Sequence, residues 1–395
     1  MLKQKIIRFF ICVMILMPSA AKPITVTQQC GINRDLGDRP IKVLHLSFHK
    51  GCCNDFVEVA EELGLELTTW YILGRETYPL IFFDGKTDSG NAVYNIGHDR
   101  AKAIWELHKD FFNQFDVIIT SDTAPLSRIF LQNDWKKPLI IWVCNRFDYC
   151  DTASLDCNFP DREYYDLFRR ATTMPHVKII SYTPYEHHYM RSKGIPADTF
   201  TIRPLGTRER HSAEQARSYI PNTVNKSTTL FLYPRLEQRH VRYIQDQCKT
   251  LGITTYSGVY NGPDDLKGFK GILYVPYAWS NLALFEQMQR GFVHFVPSEK
   301  FMSQAYQMSI PLHSFTRTNF HLCDWYCDEF RDLFVYFDSW QDLKNKVESV
   351  NYEQIADKVK KAGELHRENI LQHWHEVFDY LAQYSMRVKD ECAAV

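Results

Sequence analysis

The chain has 395 residues, of which 45% are apolar, 14% aromatic and 24% charged, with a formal net charge of −1. This composition excludes a disordered chain and a fibre, and the near-zero net charge with no long basic run argues against a dedicated nucleic-acid binder. The length suits two domains that each bury a core, and a membrane-span-like segment occurs only at the N-terminus, which excludes a polytopic membrane protein.

Lys3, Lys5 and Arg8 precede an apolar run from Phe9 to Met17, followed by Pro18-Ser19-Ala20-Ala21. The order of basic flank, apolar run and small residues predicts a signal peptide over 1–21, cleaved before Lys22. The run is shorter than the ~20 residues of a span, so an uncleaved N-terminal anchor is the alternative. Eleven cysteines accompany this leader. Cys144, Cys150 and Cys157 cluster, as do Cys52 with Cys53 and Cys323 with Cys327, so an oxidising lumen would permit disulfides of unspecified connectivity. Zinc at Cys323 and Cys327 would need a second ligand pair with similar local spacing, and His373 and His375 stand far off in a helix-like stretch.

From Ile41 onward, short apolar runs alternate with amphipathic stretches. Strands are predicted at 42–48, 65–73, 116–120, 138–143 and 177–182, with helices at 55–63, 100–112, 126–131 and 184–193. A polar stretch from Gly206 to Ser227 interrupts the pattern, which then restarts with strands at 229–233, 254–256, 271–275 and 292–296. Helices are predicted at 237–251 and 281–290, and the tail from Gln341 to Arg387 reads as two or three helical segments. Such alternation predicts parallel sheets covered on both faces. The expected organisation is a leader at 1–21, a first Rossmann-like domain at 40–205, a linker at 206–227, a second Rossmann-like domain at 228–350 and C-terminal helices at 351–395. Ligands of such sheets bind at the carboxyl ends of the strands, so two facing domains make a cleft.

The most informative stretch runs from Leu273 to Ser298 as strand, loop, helix, strand. Ser280 is placed to cap the helix, leaving the amides of Asn281, Leu282 and Ala283 as an anion site suited to a diphosphate. Glu286, on the first turns, is placed to accept hydrogen bonds from ribose hydroxyls.

This stretch resembles the donor-binding segment of glycosyltransferases of the GT-B fold, especially the family-4-like group. A proline-containing strand end, a small polar loop, a helix bearing a glutamate and a glycine at the helix end recur there in this order. The resemblance extends, more weakly, from about Lys42 to the C-terminal helices. It implies an α/β fold of two Rossmann-like parallel-sheet domains facing a cleft, with a helical C-terminal tail. It also implies transfer of a sugar from a nucleoside diphosphate to an acceptor hydroxyl. By resemblance, a basic residue after the strand ending at Tyr233 meets the donor pyrophosphate; Arg235 fits by position, with Arg239 in reserve. His49 would be the base on the acceptor hydroxyl in an inverting enzyme, oriented by Asp122. In retaining relatives the loop's glycine contacts matter instead, which would put Gly51 on the donor. Asn145, Arg146 and Asp148 mix polar and aromatic neighbours at a strand end, as an acceptor site would, or form a surface loop. The family pattern has an acidic residue eight positions before the helix glutamate, and here that position is Ala278.

The sequence has no Asp-x-Asp pair, His-Glu-x-x-His, phosphate loop or Gly-x-Ser-x-Gly, which removes support for a metal-dependent GT-A enzyme, a metalloprotease, a kinase-like enzyme or an α/β-hydrolase. The expected reaction is therefore metal-independent and without a cofactor. Its expected partners are a nucleotide-sugar donor and a glycan, protein or lipid acceptor, with no nucleic acid and no membrane span beyond an N-terminal anchor. Two alternatives stand beside it: an extracytoplasmic two-lobed protein binding a small ligand, and a catalytically inactive scaffold, which Ala278 motivates. Export of a nucleotide-sugar enzyme implies the ER or Golgi lumen of a eukaryotic host, or secretion. Asn225-Lys226-Ser227 is the one N-glycosylation sequon and falls in the expected linker.

Overall fold

The computed structural model describes residues 39–72, 96–148, 161–196, 201–207, 218–234, 236–312, 316 and 318–393. The leader at 1–21, Cys150, Cys157, Arg235 and the stretch 208–217 lie outside them.

Two five-stranded parallel sheets form the protein. The first contains β1 (Lys42–Ser47), β2 (Glu66–Tyr71), β3 (Val117–Ser121), β4 (Leu139–Val143) and β5 (Val177–Ser181), in the order β2-β1-β3-β4-β5. The second contains β6 (Thr229–Leu232), β7 (Thr254–Tyr256), β8 (Gly271–Leu273), β9 (His294–Pro297) and β10 (Val335–Phe337), in the order β10-β9-β8-β6-β7. Numbered within its own half, each sheet reads 2-1-3-4-5. The two halves therefore share one doubly wound topology, with a switch point between the first and third strands.

Strands with apolar residues on both faces explain the centre of the first sheet. Leu44 and Leu46 pack on one face, and Val43 on the other. Ile118 and Ile141 likewise share a face opposite Ile119 and Ile140. A strand buried on both faces needs helices on both sides. These are α1 (Lys50–Leu63), α2 (His98–Phe112), α3 (Arg128–Leu131), α4 (Arg162–Ala171) and α5 (Pro184–Ser192). The second half carries α6 (Gln238–Thr250), α7 (Leu282–Met288), α8 (Glu299–Gln307) and α9 (Trp340–Ser349).

The 42-residue α10 (Tyr352–Ala393) returns to the first half. Ile370, Trp374, Val377, Phe378 and Leu381 join Val43, Phe56 and Trp142 in one buried cluster. The Trp374 ring meets Phe56 and Trp142 edge-on, at 5.1 and 5.4 Å between centroids. This is the two-domain arrangement with a helical C-terminal region that the resemblance implies. Among the described residues, no helix is long and apolar enough to cross a membrane.

Several elements differ from expectation. Helix α1 starts at Lys50 rather than Asp55 because His49 caps it, its Nδ1 accepting from the Cys52 amide at 3.3 Å. Helix α7 is shorter than 281–290, and its cap is Asn281 rather than Ser280, since the Asn281 side chain accepts from the Ala283 amide at 2.9 Å. Three elements had no sequence expectation: α4, α8 and the three-residue β10. The six cysteines of known state, Cys52, Cys53, Cys144, Cys248, Cys323 and Cys327, are free thiols, so neither Cys52–Cys53 nor Cys323–Cys327 is a disulfide.

Candidate active site

The chain crosses between halves through residues 201–207, and side chains from α1, α10 and two loops grip it. The Asp55 carboxylate on α1 accepts from the Leu205 and Gly206 amides at 3.0 and 2.8 Å. Gln289, just past α7, donates to the Leu205 and Gly206 carbonyls at 2.7 and 3.0 Å. On α10, His366 Nε2 donates to the Pro204 carbonyl at 2.9 Å, while Arg367 bridges Glu58 and Glu62 of α1, each at 2.9 Å. Arg203 pairs with the fully buried Asp324 at 2.8 Å. Gly206 has φ +84°, and a Cβ there would lie 2.5 Å from Gln289 Nε2 and 2.8 Å from the Phe285 carbonyl carbon, so glycine is required.

This crossing turns the strand ends of the two sheets toward each other. Two contacts mark the seam. Tyr185 of α5 stacks on Trp279 at 3.6 Å with the rings 9° from parallel. A Cβ on Gly51 would stand 2.5 Å from Leu282 Cδ1, which places Leu282 against the start of α1.

At the first switch point, between β1 and β3, His49 is exposed and Asp122 is buried. Asp122 has φ +69°, a left-handed conformation that aspartate adopts more readily than most residues other than glycine. Its carboxylate accepts from Asn145 Nδ2 at 2.7 Å. Burial raises the Asp122 pKa to about 6, with the His49 charge and the Asn145 hydrogen bond working the other way. Because His49 Nδ1 accepts the Cys52 amide, a neutral imidazole carries its proton on Nε2, and the ring's other nitrogen is fixed by the helix.

At the second switch point, between β6 and β8, the chemistry is different. Asn281 Nδ2 lies 3.1 Å from the Tyr233 hydroxyl, 3.1 Å from that of Tyr274 and 2.8 Å from that of Tyr277. Tyr260 adds its hydroxyl, donating to Tyr233 at 3.3 Å. One amide thus both caps α7 and gathers a tyrosine cluster. Sequence reasoning did not find this cluster, and its signal was the recurrence of Tyr233, Tyr274 and Tyr277 at strand ends.

Glu286 faces the seam. Burial, followed by the neighbouring Asp55 carboxyl, raises its pKa to about 7, while Arg290 and a hydrogen bond with Thr207 oppose that shift. Burial also raises Asp55 to about 7.

The remaining expected site residues are placed as follows. Asn145 is engaged with Asp122 rather than open to a ligand. Arg146 pairs with the buried Glu186 at 2.8 Å and lies over the Tyr185 ring at 5.1 Å. Asp148 accepts from the hydroxyls of Tyr165 and Tyr189. The expected acceptor trio is thus tied into the first domain, with Arg146 and Asp148 on the side of α4 and α5. Arg239 is solvent-exposed and pairs with Glu237 at 2.8 Å. Ser280 lies near the buried Asp324, whose pKa burial raises against the opposing charge of Arg203. Among the described residues, no group of three or more His, Cys, Asp or Glu side chains is placed to hold a metal ion.

No protein-family model matches the chain, and no curated protein matches it in sequence. Solved structures do share its outline. Sucrose-phosphate synthase from Thermosynechococcus elongatus is 11% identical, with TM-score 0.47, covering 90% of this chain and 100% of that one. TarM is 12% identical, with TM-score 0.44 over 71% of this chain and 58% of its own, so the match spans little more than half of TarM. UDP-N-acetylglucosamine 2-epimerase from Rickettsia bellii is 13% identical, with TM-score 0.44, covering 88% of this chain and 98% of that one. Likeness at this level carries no argument about the reaction, which rests on the chain's own residues.

Proposed function

We propose that the protein is a glycosyltransferase that moves a sugar from a nucleoside diphosphate to an acceptor hydroxyl, without a resident metal. The observation that carries this reading is the exposed His49 beside the buried Asp122 at the first switch point, facing a second, tyrosine-lined switch point across the seam. One side offers a proton acceptor and the other a cluster of hydroxyls, of which Tyr277 is the partly exposed member.

In this reading the acceptor hydroxyl takes the place of the Cys52 amide at His49 Nδ1 and gives that nitrogen its proton as its oxygen attacks the anomeric carbon, and the diphosphate leaves. The Asp122 carboxylate, held by Asn145, stabilises the imidazolium that forms. Glu286 accepts from the donor's ribose hydroxyls, as in the family-4-like group. Asn281 and the tyrosine hydroxyls supply hydrogen bonds near the donor, and Arg235 is the residue proposed for the pyrophosphate. Positive groups there would act by stabilising charge that develops on the leaving group.

The test is a screen of nucleotide sugars with the full chain, reading released nucleoside diphosphate, together with thermal shift against UDP and GDP. Turnover that disappears in His49→Ala supports the reading. A thermal shift with free sugars or amino acids and none with nucleotides would replace it with a two-lobed binding protein. A specific observation favours one second reading, an inactive scaffold: Ala278 lacks a carboxylate, and Trp279 and Leu282 already pack across the seam. Nucleotide binding without turnover for any donor would establish it.

We also propose passage through the secretory lumen. Asn225 of the sequon is exposed, with Ser227 Oγ donating to Asn225 Oδ1 at 2.8 Å. Endoglycosidase should increase the gel mobility of the cell-expressed chain and leave Asn225→Gln unchanged. A fully unglycosylated pool that stays in the cytosol would refute lumenal passage.

A further inference from the structure

Two thiols meet at the first switch point, from elements 92 residues apart, with Cys52 Sγ and Cys144 Sγ separated by 4.0 Å. Cys52 stands in the first turn of the 14-residue α1, where backbone amides favour a thiolate, and Cys144 directly follows β4. We propose that Cys52 and Cys144 form a redox-active dithiol that closes into a disulfide across the first switch point.

The two sulfurs differ in kind. The hydrogen bond with Cys144 and then that with His49 bring the Cys52 thiol down to about 7, against the opposing effect of burial. Burial and Cys52 itself push the Cys144 thiol well up. One sulfur is thus the attacking thiolate and the other keeps its proton until the second step. The remaining free thiols lack this arrangement. Burial pushes Cys53 up although it is the next residue on the same helix, and burial raises Cys248, Cys323 and Cys327 too. Cys323 and Cys327 direct their thiols at the carbonyls of Ala278 and Asp324.

The oxidant is a small disulfide. The Cys52 thiolate attacks one of its sulfurs, the S–S bond breaks, and one thiolate leaves. The Cys144 thiol passes its proton to that thiolate and attacks the Cys52 sulfur, releasing the second thiolate. Two protein thiols are oxidised by two electrons, and the small disulfide is reduced by two. Cys52 is buried and Cys144 beside it is partly exposed, so the oxidant reaches the Cys52 sulfur through the opening at Cys144. Bonding requires the sulfurs to close from 4.0 Å to about 2.05 Å. The bond would tie the start of α1 to the loop that carries Asn145.

The experiment equilibrates the full-length folded chain in glutathione buffers from reducing to oxidising, quenches in acid, alkylates, and maps linkages by mass spectrometry. Cys52 and Cys144 should lose their free thiols together in one two-electron transition and appear as one cross-linked species, while Cys248, Cys323 and Cys327 stay reduced. In Cys144→Ser, Cys52 should accumulate as the glutathione mixed disulfide because the second attack is lost. Two reduced thiols across the whole range overturn the proposal. So does linkage of Cys52 to Cys53, Cys150 or Cys157, or a stoichiometric zinc ion that protects both thiols from alkylation. If Cys144→Ser fails to fold, the linkage map of the unsubstituted chain still decides. The readout is a covalent bond, so its failure is separate from any failure of the sugar-transfer reading.

Discussion

The two halves of the protein repeat one strand order but fill the equivalent place with opposite chemistry. At the first switch point stand a histidine, an aspartate whose carboxyl burial raises to about 6, and two thiols of unlike acidity. Between β6 and β8 stand tyrosine hydroxyls drawn together by one asparagine, a largely buried hydrogen-bonded cluster. Backbone topology therefore fixes where a ligand sits, and side chains decide what happens to it.

The largest expected effect removes the reactive side of this contrast. His49→Ala should lower kcat by roughly 10²–10⁴-fold and, as the cap of α1, cost about 1 kcal/mol of stability. Steady-state kinetics and denaturant titration separate the two. If kcat is unchanged, the first switch point is not the reactive one.

Asp122 gives a test with two opposite signs. Its folded pKa, about 6, is raised above the unfolded value, near 3.9. The stability it contributes is thus present at low pH and lost as pH rises from about 4 through 6, by ~3 kcal/mol. Activity should move the other way, falling as pH drops below 6 because the protonated carboxyl no longer supports the imidazolium. Asp122→Asn should flatten this part of the stability profile, as measured by urea midpoints across pH.

On the binding side, Asn281→Ala removes the α7 cap and the group that gathers the three hydroxyls. It should cost about 2 kcal/mol in a denaturant titration, with Tyr233→Phe costing about 1 kcal/mol. Glu286→Gln is the smallest change. It should weaken nucleotide affinity about tenfold, equivalent to ~1.4 kcal/mol, without destabilising the fold, because it removes a carboxyl that burial already disfavours. Unchanged affinity by calorimetry would detach Glu286 from the donor.

Much of the fold is legible in the sequence, for reasons that differ by element. Strand β4 is a continuous apolar run, and β1 and β3 are short, largely apolar runs, whose length separates them from helices. Strand β10 is not legible, because Val335-Tyr336-Phe337 is too short to show a period. The early start of α1 is hidden by Gly51 and by a histidine cap, neither of which is an ordinary helix-start signal. Helix α7 illustrates a near miss: Ser280 and Asn281 are both good caps, and the three surrounding tyrosines, distant in sequence, select Asn281. The positions of His49 and Asp122 follow from strand ends alone. The link from Asn145 to Asp122 does not, because it depends on β4 lying beside β3. The same limit applies to Cys52 and Cys144, whose proximity is a product of the sheet order.

The return of α10 to the first half has a consequence for synthesis on the ribosome. The face of the first sheet that carries Trp142, together with Phe56, is completed by Trp374 and Phe378 near the end of the chain. A nascent chain that has already made all five strands of that sheet still exposes an aromatic surface until at least 189 further residues are added, counting from the last of those strands at Ser181 to Ile370 of the tail. The first domain therefore cannot finish folding before the second has been made, and in that interval the uncovered surface is open to chaperones or to other nascent chains.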